Sequence, residues 1–429
     1  MNTAVVGLLI LVALLVLYAS ELFPAYIISI LGAMSYAWIG AIEYKAAFAN
    51  YGADVLLLSI GVMILGGTLF EVGFSEWFGS KVNILFKGNE RSILFALIAC
   101  VSIVSAFVSN TAAMAMFIPI FGAIAKGSGG KVKVKYLAMA VAFASVAGGN
   151  LTLIGSTIQV TMNGVLAEGG YEQLTMMTMF WPALILLVLM VIYFVTIGDT
   201  IQHKVLANLP DPTDEATNAA AAVAGETKEV DQKKLIIVGI IFVLTVIGFL
   251  RGVWTLGFVG VSAGAACIIF RLVDGKKALK ELVDWQAIGV MGGVMGIASG
   301  VNASGAGKMV AEWIINAFGG QNASPFAILA ALCITATLLT NVMNNITIAG
   351  ILMPIGLSIA STLGVNTMPF AVGIILAASL AFATPIGTTP VTMTMYVGYR
   401  FFDYTKIGGL FTIIGCIAVI VTMPIFYPF

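Results

Sequence analysis

The chain has 429 residues, of which 60% are hydrophobic and 9% are charged, and its 20 basic residues balance 20 acidic ones. Soluble domains carry about 25% charged residues, so this composition excludes a cytosolic enzyme and predicts an integral membrane protein. The zero net charge offers no polyanion-binding surface, and we expect no nucleic-acid partner. Four widely spaced cysteines inside apolar runs favour buried thiols over disulfides or a metal site.

Apolar runs follow one another along the chain, and most contain the roughly 20 residues that cross about 30 Å of hydrocarbon as a helix. These runs lie at 4–20, 22–40, 53–73, 92–125, 136–166, 176–198, 235–250, 254–273, 286–303, 325–362, 370–397 and 407–428. The polar stretch 199–234 predicts a mobile cytoplasmic linker, and the single histidine, His203, is expected in that solvated loop. The linker divides the chain into a first half, 1–198, and a second half, 235–429.

The two halves repeat a pattern of polar residues inside apolar runs. Ser109-Asn110-Thr111 and Asn344-Asn345 each interrupt a run whose arms are too short to span comfortably, which predicts two re-entrant helical hairpins. Each hairpin is followed by a helix that is broken at a glycine-hydroxyl turn. The matched pairs are Ser105 and Thr340, Asn110 and Asn345, Pro119 and Pro354, Thr152 and Thr384, Gly155 and Gly387, and Ser156 and Thr388. We therefore predict an all-α polytopic membrane protein with two repeats, each of five transmembrane helices with a hairpin and a broken helix.

The distribution of basic residues predicts the orientation of these repeats. Five crossings in each half make the second half start on the opposite side, so the two repeats are predicted to be inverted. With the N-terminus outside, only Lys45, Arg251 and Lys308 fall outside, and the other 17 of the 20 basic residues fall inside. We expect a multi-pass protein of the plasma (inner) membrane, in contact with the lipid bilayer, with both termini extracytoplasmic.

The polar interruptions suit the binding of ions at membrane depth. Broken helices at the interface of inverted repeats are typical of the substrate site of a secondary transporter. Their N-terminal N–H groups favour an anion, and exposed carbonyl, hydroxyl and amide oxygens favour a hard cation such as Na⁺. Ionisable residues are missing from the middle of every predicted span, which disfavours a proton-driven antiporter. The sequence has no Walker motif and no catalytic constellation, so we expect neither an enzyme nor an organic cofactor.

At these residues the sequence resembles the divalent anion/sodium symporter (DASS) family of the ion-transporter superfamily. The similar segments are Ser109 to Pro119, Gly148 to Ser156, Asn344 to Pro354 and Ala383 to Pro390. The resemblance implies a homodimer that transports by an elevator-type alternating-access mechanism. It assigns about 1–90 and 235–323 to a scaffold, and about 91–198 and 324–429 to a transport domain.

The resemblance also implies site residues, position by position. One Na⁺ would be held by Ser105, Ser109, Asn110 and Gly155, and a second by Thr340, Met343, Asn345 and Gly387. The substrate would contact Asn110, Thr111, Ser156, Asn344, Asn345, Thr388 and Thr389.

Three departures from the family pattern leave the substrate open. Ile346 stands where the family has a hydroxyl, which Thr347 or Thr389 could replace; Pro-Pro-Asn does not follow the turns; and we expect the family's extra N-terminal helix to be lacking. The preferred function is Na⁺-coupled symport of a small di- or monocarboxylate anion. The alternatives are a Na⁺-independent anion exchanger, a carrier of an inorganic oxyanion such as sulfate or arsenite and, more distantly, a channel or membrane receptor.

Overall fold

The chain is built from helices, as the sequence predicts. The computed structural model describes residues 2–20, 22–74, 77, 90–128, 132–213, 216–217, 220 and 230–429, and these residues contain no β-strand. The helices of the first half are α1 Thr3–Ser20, α2 Ala25–Trp38, α3 Asp54–Glu71, α4 Glu90–Ser105, α5 Asn110–Gly127, α6 Ala138–Gly149, α7 Thr157–Glu168, α8 Phe180–Val195 and α9 Ile197–Val205. Those of the second half are α10 Gln232–Arg251, α11 Leu256–Ile269, α12 Trp285–Ser304, α13 Ala306–Ala317, α14 Pro325–Thr340, α15 Asn345–Leu363, α16 Met368–Ala378, α17 Thr389–Thr392 and α18 Phe401–Phe426. Short helical turns lie at Ala46–Ala49, Asn50–Gly52, Val134–Tyr136, Gly275–Lys277, Ala278–Leu282, Gly320–Asn322 and Met393–Val397.

Several of these helices have the length and composition of membrane spans. Six candidates occur among the described residues: Thr3–Ser20, Ala46–Glu71, Gln232–Arg251, Trp285–Ser304, Asn345–Leu363 and Phe401–Phe426. α8 and α9 qualify as one further span that bends by 51° at its break. Other apolar helices, such as α4, α6, α14 and α16, are too short to cross alone. The fold is that of a multi-pass membrane protein, while the number of ten crossings and their orientation stay predictions.

The lipid-facing surface is visible from the exposed side chains. On α10, Ile236 is 64% exposed and Leu244 is 61% exposed, although both are strongly apolar. All six tryptophans are exposed as well, which fits side chains that anchor a protein at the membrane–water interface. Such a surface is stable in a bilayer and unfavourable in water.

The first three helices of each half pack crosswise on one another. α3 packs on α11, and α12 packs on α2. Exchanging the two halves converts the first of these pairs into the second, as an internal two-fold relation requires. The two helix backbones are in close contact at Gly61 of α3 and Gly260 of α11. A Cβ on Gly61 would overlap the carbonyl of Gly260, so this close packing requires a glycine at position 61. These helices form a framework on which the interrupted elements lie.

Helix pairs with polar tips and broken helices occur at the predicted positions, while the re-entrance of the hairpins into the membrane stays a prediction. α4 and α5 form the first hairpin and α14 and α15 the second, with polar tips between them. Ser109 Oγ accepts from the backbone N–H of Ala112 (3.3 Å), and Asn344 Oδ1 accepts from that of Ile346 (3.0 Å). These caps explain why a helix starts again at each tip. The chain between α6 and α7, and that between α16 and α17, forms the breaks that face the two tips.

The ends of the predicted linker are helical. α9 covers 197–205 and α10 begins at Gln232, so the polar connection is shorter than 199–234. His203 lies in helix α9 and not in a loop, although its side chain is 45% exposed. Its ring stacks on Tyr136 at 4.0 Å, and its Nε2 lies 3.1 Å from Glu90 Oε1. Four basic residues used to predict the orientation lie outside the described part of the chain: Lys81, Lys87, Lys131 and Lys228.

Candidate functional site

A large cavity lies between the two hairpin tips and the two broken helices. Its volume is about 1410 Å³, and helices of the framework close its other side. All seven residues predicted to contact substrate line it: Asn110, Thr111, Ser156, Asn344, Asn345, Thr388 and Thr389. The structure therefore brings together polar residues that lie more than 270 positions apart in the sequence.

In the first half, an asparagine side chain joins the hairpin to the broken helix. With its nitrogen turned toward them, the Asn110 amide donates to Gly155 O (3.1 Å), Ser105 Oγ (2.9 Å) and Ser145 O (3.2 Å). Ser105 is fully buried, and its single hydroxyl proton also faces Ser145 O at 2.6 Å. The two amide protons of Asn110 and the hydroxyl proton of Ser105 thus face three acceptor oxygens around one point.

The second half repeats this arrangement. The Thr340 hydroxyl lies 2.7 Å from Asn345 Oδ1 and 2.5 Å from Ala378 O, yet it has one proton to donate. Thr340 is fully buried, like its counterpart in the first half. Gly387 packs closely against Thr340, since a Cβ on Gly387 would lie 2.9 Å from Thr340 O. One oxygen–oxygen contact in this cluster therefore has no proton between its atoms.

Deeper hydrogen bonds are also shared by the two halves. Ser102 Oγ donates to Ala144 O in the first half, and Thr337 Oγ1 donates to Ala377 O in the second. The breaks are fixed in the same way: Thr152 donates to the carbonyl of Ala106, and Thr384 donates to that of Asn341. Each break is thereby fastened to the tip of its own hairpin.

The residues predicted to bind Na⁺ occupy two depths. Ser109, Asn110, Gly155, Asn345 and Gly387 line the cavity. Ser105 and Thr340 are fully buried, and Met343 is 8% exposed. The predicted sets thus consist of cavity-wall residues and of buried residues, of which Ser105 and Thr340 contact the wall asparagines.

Charged groups at the cavity are acidic. Glu71, Glu281 and Asp284 are among the lining residues, whereas lysine, arginine and histidine do not occur among the described residues that line it. Glu71 is paired with Lys277 (2.6 Å), and Asp284 caps α12 by accepting from Ala287 N (2.9 Å). Sequence reasoning missed these three carboxylates as cavity residues. Their position at the ends of apolar runs was the available signal, but it does not specify which end faces a cavity.

Helix N-termini supply the positive potential that side chains do not. α5 and α7 start at the cavity with 18 and 12 residues, and α15 starts there with 19. The N-terminus of a helix carries a partial positive charge and free N–H groups, which bind anions. An anion in this cavity would meet these ends together with the hydroxyl and amide groups of the tips.

The structure separates the two threonines that could replace the hydroxyl lost at Ile346. Thr389 lines the cavity and is exposed to it. Thr347 is 1% exposed, and its hydroxyl has no hydrogen-bond partner. Thr389, and not Thr347, is therefore placed to meet a ligand.

Comparison with known proteins places the chain among transporters. The family model described as citrate transporter (CitMHS) matches residues 15–349 and 253–429. A transporter of Haemophilus influenzae is 25% identical over 425 residues, covering 97% of this chain and 90% of that protein. The sodium-dependent dicarboxylate transporter SdcS of Staphylococcus saprophyticus is 26% identical over 386 residues, covering 82% and 72%. The match to the Escherichia coli transporter YfbS is 31% identical over 173 residues, and covers 39% of this chain and 28% of that protein.

A solved structure shares the fold. Neisseria gonorrhoeae MtrF, described with a class of antimetabolite efflux pumps, aligns with a TM-score of 0.59 at 12% sequence identity. The alignment covers 92% of this chain and 84% of MtrF. At this identity the likeness concerns the fold alone. Together with the relatives, it agrees with the resemblance that the hairpin and turn motifs carry.

Proposed function

Since the chain belongs to the citrate-transporter family, and is therefore a secondary transporter and not an enzyme, we propose that it carries a small carboxylate together with Na⁺. The observation that carries this proposal is the pair of matching oxygen clusters, around Ser105 and Asn110 and around Thr340 and Asn345, that flank one cavity, each beside a helix N-terminus. Oxygen clusters suit Na⁺, and helix N-termini suit an anion. The sodium-dependent dicarboxylate relatives support the same pairing.

The first Na⁺ would bind at the first hairpin. If the Asn110 amide turns over, its oxygen faces the carbonyl oxygens of Gly155 and Ser145, which are repulsive contacts without a cation, and it accepts from the Ser105 hydroxyl at 2.9 Å. A Na⁺ among these oxygens would convert the repulsion into coordination. Ser109 would act by capping α5 and so holding the tip in shape.

The second Na⁺ would bind at the second hairpin. Thr340 Oγ1, Asn345 Oδ1 and Ala378 O supply three oxygens that share one hydroxyl proton. The resemblance adds the backbone of Met343 and Gly387, and Gly387 packs directly against Thr340 O. Both ions would therefore bind at the start of a hairpin's second arm.

The carboxylate would lie between the two tips. Asn110, Thr111 and Ser156 would bind it from the first half, and Asn344, Asn345, Thr388 and Thr389 from the second. Because the described cavity wall has no basic side chain, the two Na⁺ ions and the helix N-termini would compensate its charge. Substrate binding without Na⁺ is then unfavourable, which couples the two fluxes.

Transport would occur by an elevator movement of 91–198 and 324–429 against a scaffold of 1–90 and 235–323, in a homodimer. Apolar contacts between α12 and the interrupted elements support this division. A Cβ on Gly164 of α7 would meet Met295, and one on Gly350 of α15 would meet Val294. Small residues at such an interface let helices slide closely past one another.

The proposal is tested by uptake of radiolabelled carboxylates into proteoliposomes, with an inward Na⁺ or K⁺ gradient. We expect uptake with Na⁺ alone and its loss in Asn110→Ala. Asn322→Ala changes an exposed asparagine at the opposite end of α14 and should retain it. Equal uptake in K⁺ would contradict Na⁺ coupling and favour the exchanger alternative.

A further inference from the structure

The two ends of the cavity differ although the chain repeats. At the first tip Thr111 follows Asn110 and presents a hydroxyl to the cavity, and at the second Ile346 follows Asn345 and presents an apolar side chain that is 9% exposed. We infer that the cavity selects a monoanionic carboxylate, with its carboxylate at the first tip and an uncharged end at Ile346. This inference rests on the proposed function and deepens it by naming the substrate class.

The two broken helices also differ in the free backbone N–H groups at their starts, and the first half has more of them. α7 has 12 residues, begins after Ser156, and its N-terminus has no side-chain cap. α17 has four residues, and its second residue, Pro390, has no N–H. The next N–H, that of Val391, is already bonded to Thr388 O at 3.0 Å. The first half therefore offers an anion a longer helix with more free donors than the second half does.

The hairpin tips are capped alike, because Ser109 Oγ accepts from Ala112 N at 3.3 Å and Asn344 Oδ1 accepts from Ile346 N at 3.0 Å. The tips therefore differ in the side chains that follow the asparagines, Thr111 and Ile346, and not in their caps. On the second side, the Thr389 hydroxyl faces the cavity, whereas the Thr388 hydroxyl is buried without a hydrogen-bond partner. Neutral hydroxyls can hydrogen-bond an ester, amide or hydroxyl end of a ligand. They do not replace the charge compensation that a second carboxylate needs.

The charges on the cavity wall do not favour a second negative charge. Glu71, Glu281 and Asp284 line the cavity, Lys277 pairs with Glu71 at 2.6 Å, and the described lining residues include no basic side chain. A dianion would bring a second carboxylate to the apolar Ile346 side chain, where α15 begins but the facing α17 has four residues and lacks an N–H at Pro390. A ligand with one carboxylate and a neutral end avoids this cost.

The test compares three ligands of similar length: succinate, monomethyl succinate and butyrate. Binding to purified protein in Na⁺ is measured by calorimetry at a pH where every carboxyl group is ionised. We expect wild type to bind the two monoanions at least about tenfold more tightly than succinate, which is the range that single pocket groups control. Tighter binding of succinate than of both monoanions would overturn the inference and leave the proposed function intact.

Two substitutions at position 346 sharpen the test. Ile346→Thr restores the hydroxyl that Thr111 provides at the other tip, and it should shift the ratio about tenfold toward succinate. Ile346→Val keeps the apolar character and should keep the wild-type ratio. An unchanged ratio in a folded Ile346→Thr protein would overturn the inference, and if that variant fails to fold, the wild-type ratio still decides. Absence of Na⁺-dependent binding of all three ligands to wild type would contradict the proposed function and this inference together.

Discussion

The two halves of the site share their framework and differ in what they present to the cavity. Ser105 and Thr340 each lie within hydrogen-bonding distance of the wall asparagine of their own half, and each donates to a carbonyl of the broken helix. The residues that face the cavity have diverged, with Thr111 at one tip and Ile346 at the other. A duplicated fold therefore keeps the bonds that fix backbone geometry, while its ligand-facing side chains are free to change.

The largest expected effect comes from the glycines behind the two tips. A Cβ on Gly155 would lie 2.7 Å from Ser105 O and 2.8 Å from Gly149 Cα, both backbone atoms. A Cβ on Gly387 would lie 2.6 Å from the side chain of Ala381 and 2.9 Å from Thr340 O. We expect Gly155→Ala to reduce Na⁺-dependent uptake to background and Gly387→Ala to reduce it about tenfold, because overpacking costs about 1–3 kcal/mol.

Uptake per folded transporter measures this pair of variants. Gly239→Ala is the matched control, since a Cβ at Gly239 of α10 has no neighbour within 4 Å. A Gly387→Ala protein that is as inactive as the Gly155→Ala protein would show that the packing around the two glycines is equally tight.

An intermediate effect is expected from the buried hydroxyls. Ser105→Ala and Thr340→Val each leave a carbonyl without its donor, which costs about 0.6 kcal/mol on average inside membrane helices and up to about 1.7 kcal/mol. We expect a lower melting temperature for both variants and a smaller rise of that temperature on addition of Na⁺. Thr335→Val is the control on the same helix, because the Thr335 hydroxyl is exposed and bonds to Ala331 O. Full Na⁺ stabilisation of both variants would exclude these hydroxyls from the ion sites.

The smallest effect is expected where the first hairpin begins. Glu90 pairs with His203 at 3.1 Å, whereas the second hairpin begins with Ser324, which caps α14 by accepting from Ala327 N. His203 is about half exposed, so a double-mutant cycle with Glu90→Gln and His203→Gln should give a coupling of about 0.2–1 kcal/mol at pH 6. A coupling energy above that range would show that the Glu90–His203 pair stabilises the start of the first hairpin more than its solvent exposure indicates.

The carboxyl group of Glu90 also makes the stability of the fold depend on pH, in a direction that can be predicted. Burial raises the pKa of Glu90, and the nearby His203 opposes the rise. A raised carboxyl pKa makes the folded state lose stability as the pH rises through it. The Glu90→Gln protein should therefore gain melting temperature relative to wild type as the pH is raised above the ordinary glutamate pKa of about 4.3, as thermal scans at several pH values can measure.

Sequence spacing predicted much of the site. The repeat matched Asn110 with Asn345 and Gly155 with Gly387, the resemblance placed Asn110 and Gly155 in one site, and the Asn110 amide lies 3.1 Å from the Gly155 carbonyl oxygen. Spacing did not reveal that Ser105 is fully buried while Thr111 is exposed, because depth depends on which carbonyls of α6 pack against the hairpin. It also placed His203 in a loop, since a polar stretch does not report that α9 continues α8 after a bend.

The sequence by itself determined the protein class, the helical elements and the repeat, because hydrophobic length and polar interruptions act locally along the chain. The tertiary structure decided which residues share the cavity, including Glu71 and Asp284, and which of Thr347 and Thr389 reaches it. The physical reason is that a buried oxygen gains its partner from another helix. Only the packing of α6 on α4 and of α16 on α14 brings those partners within hydrogen-bonding distance.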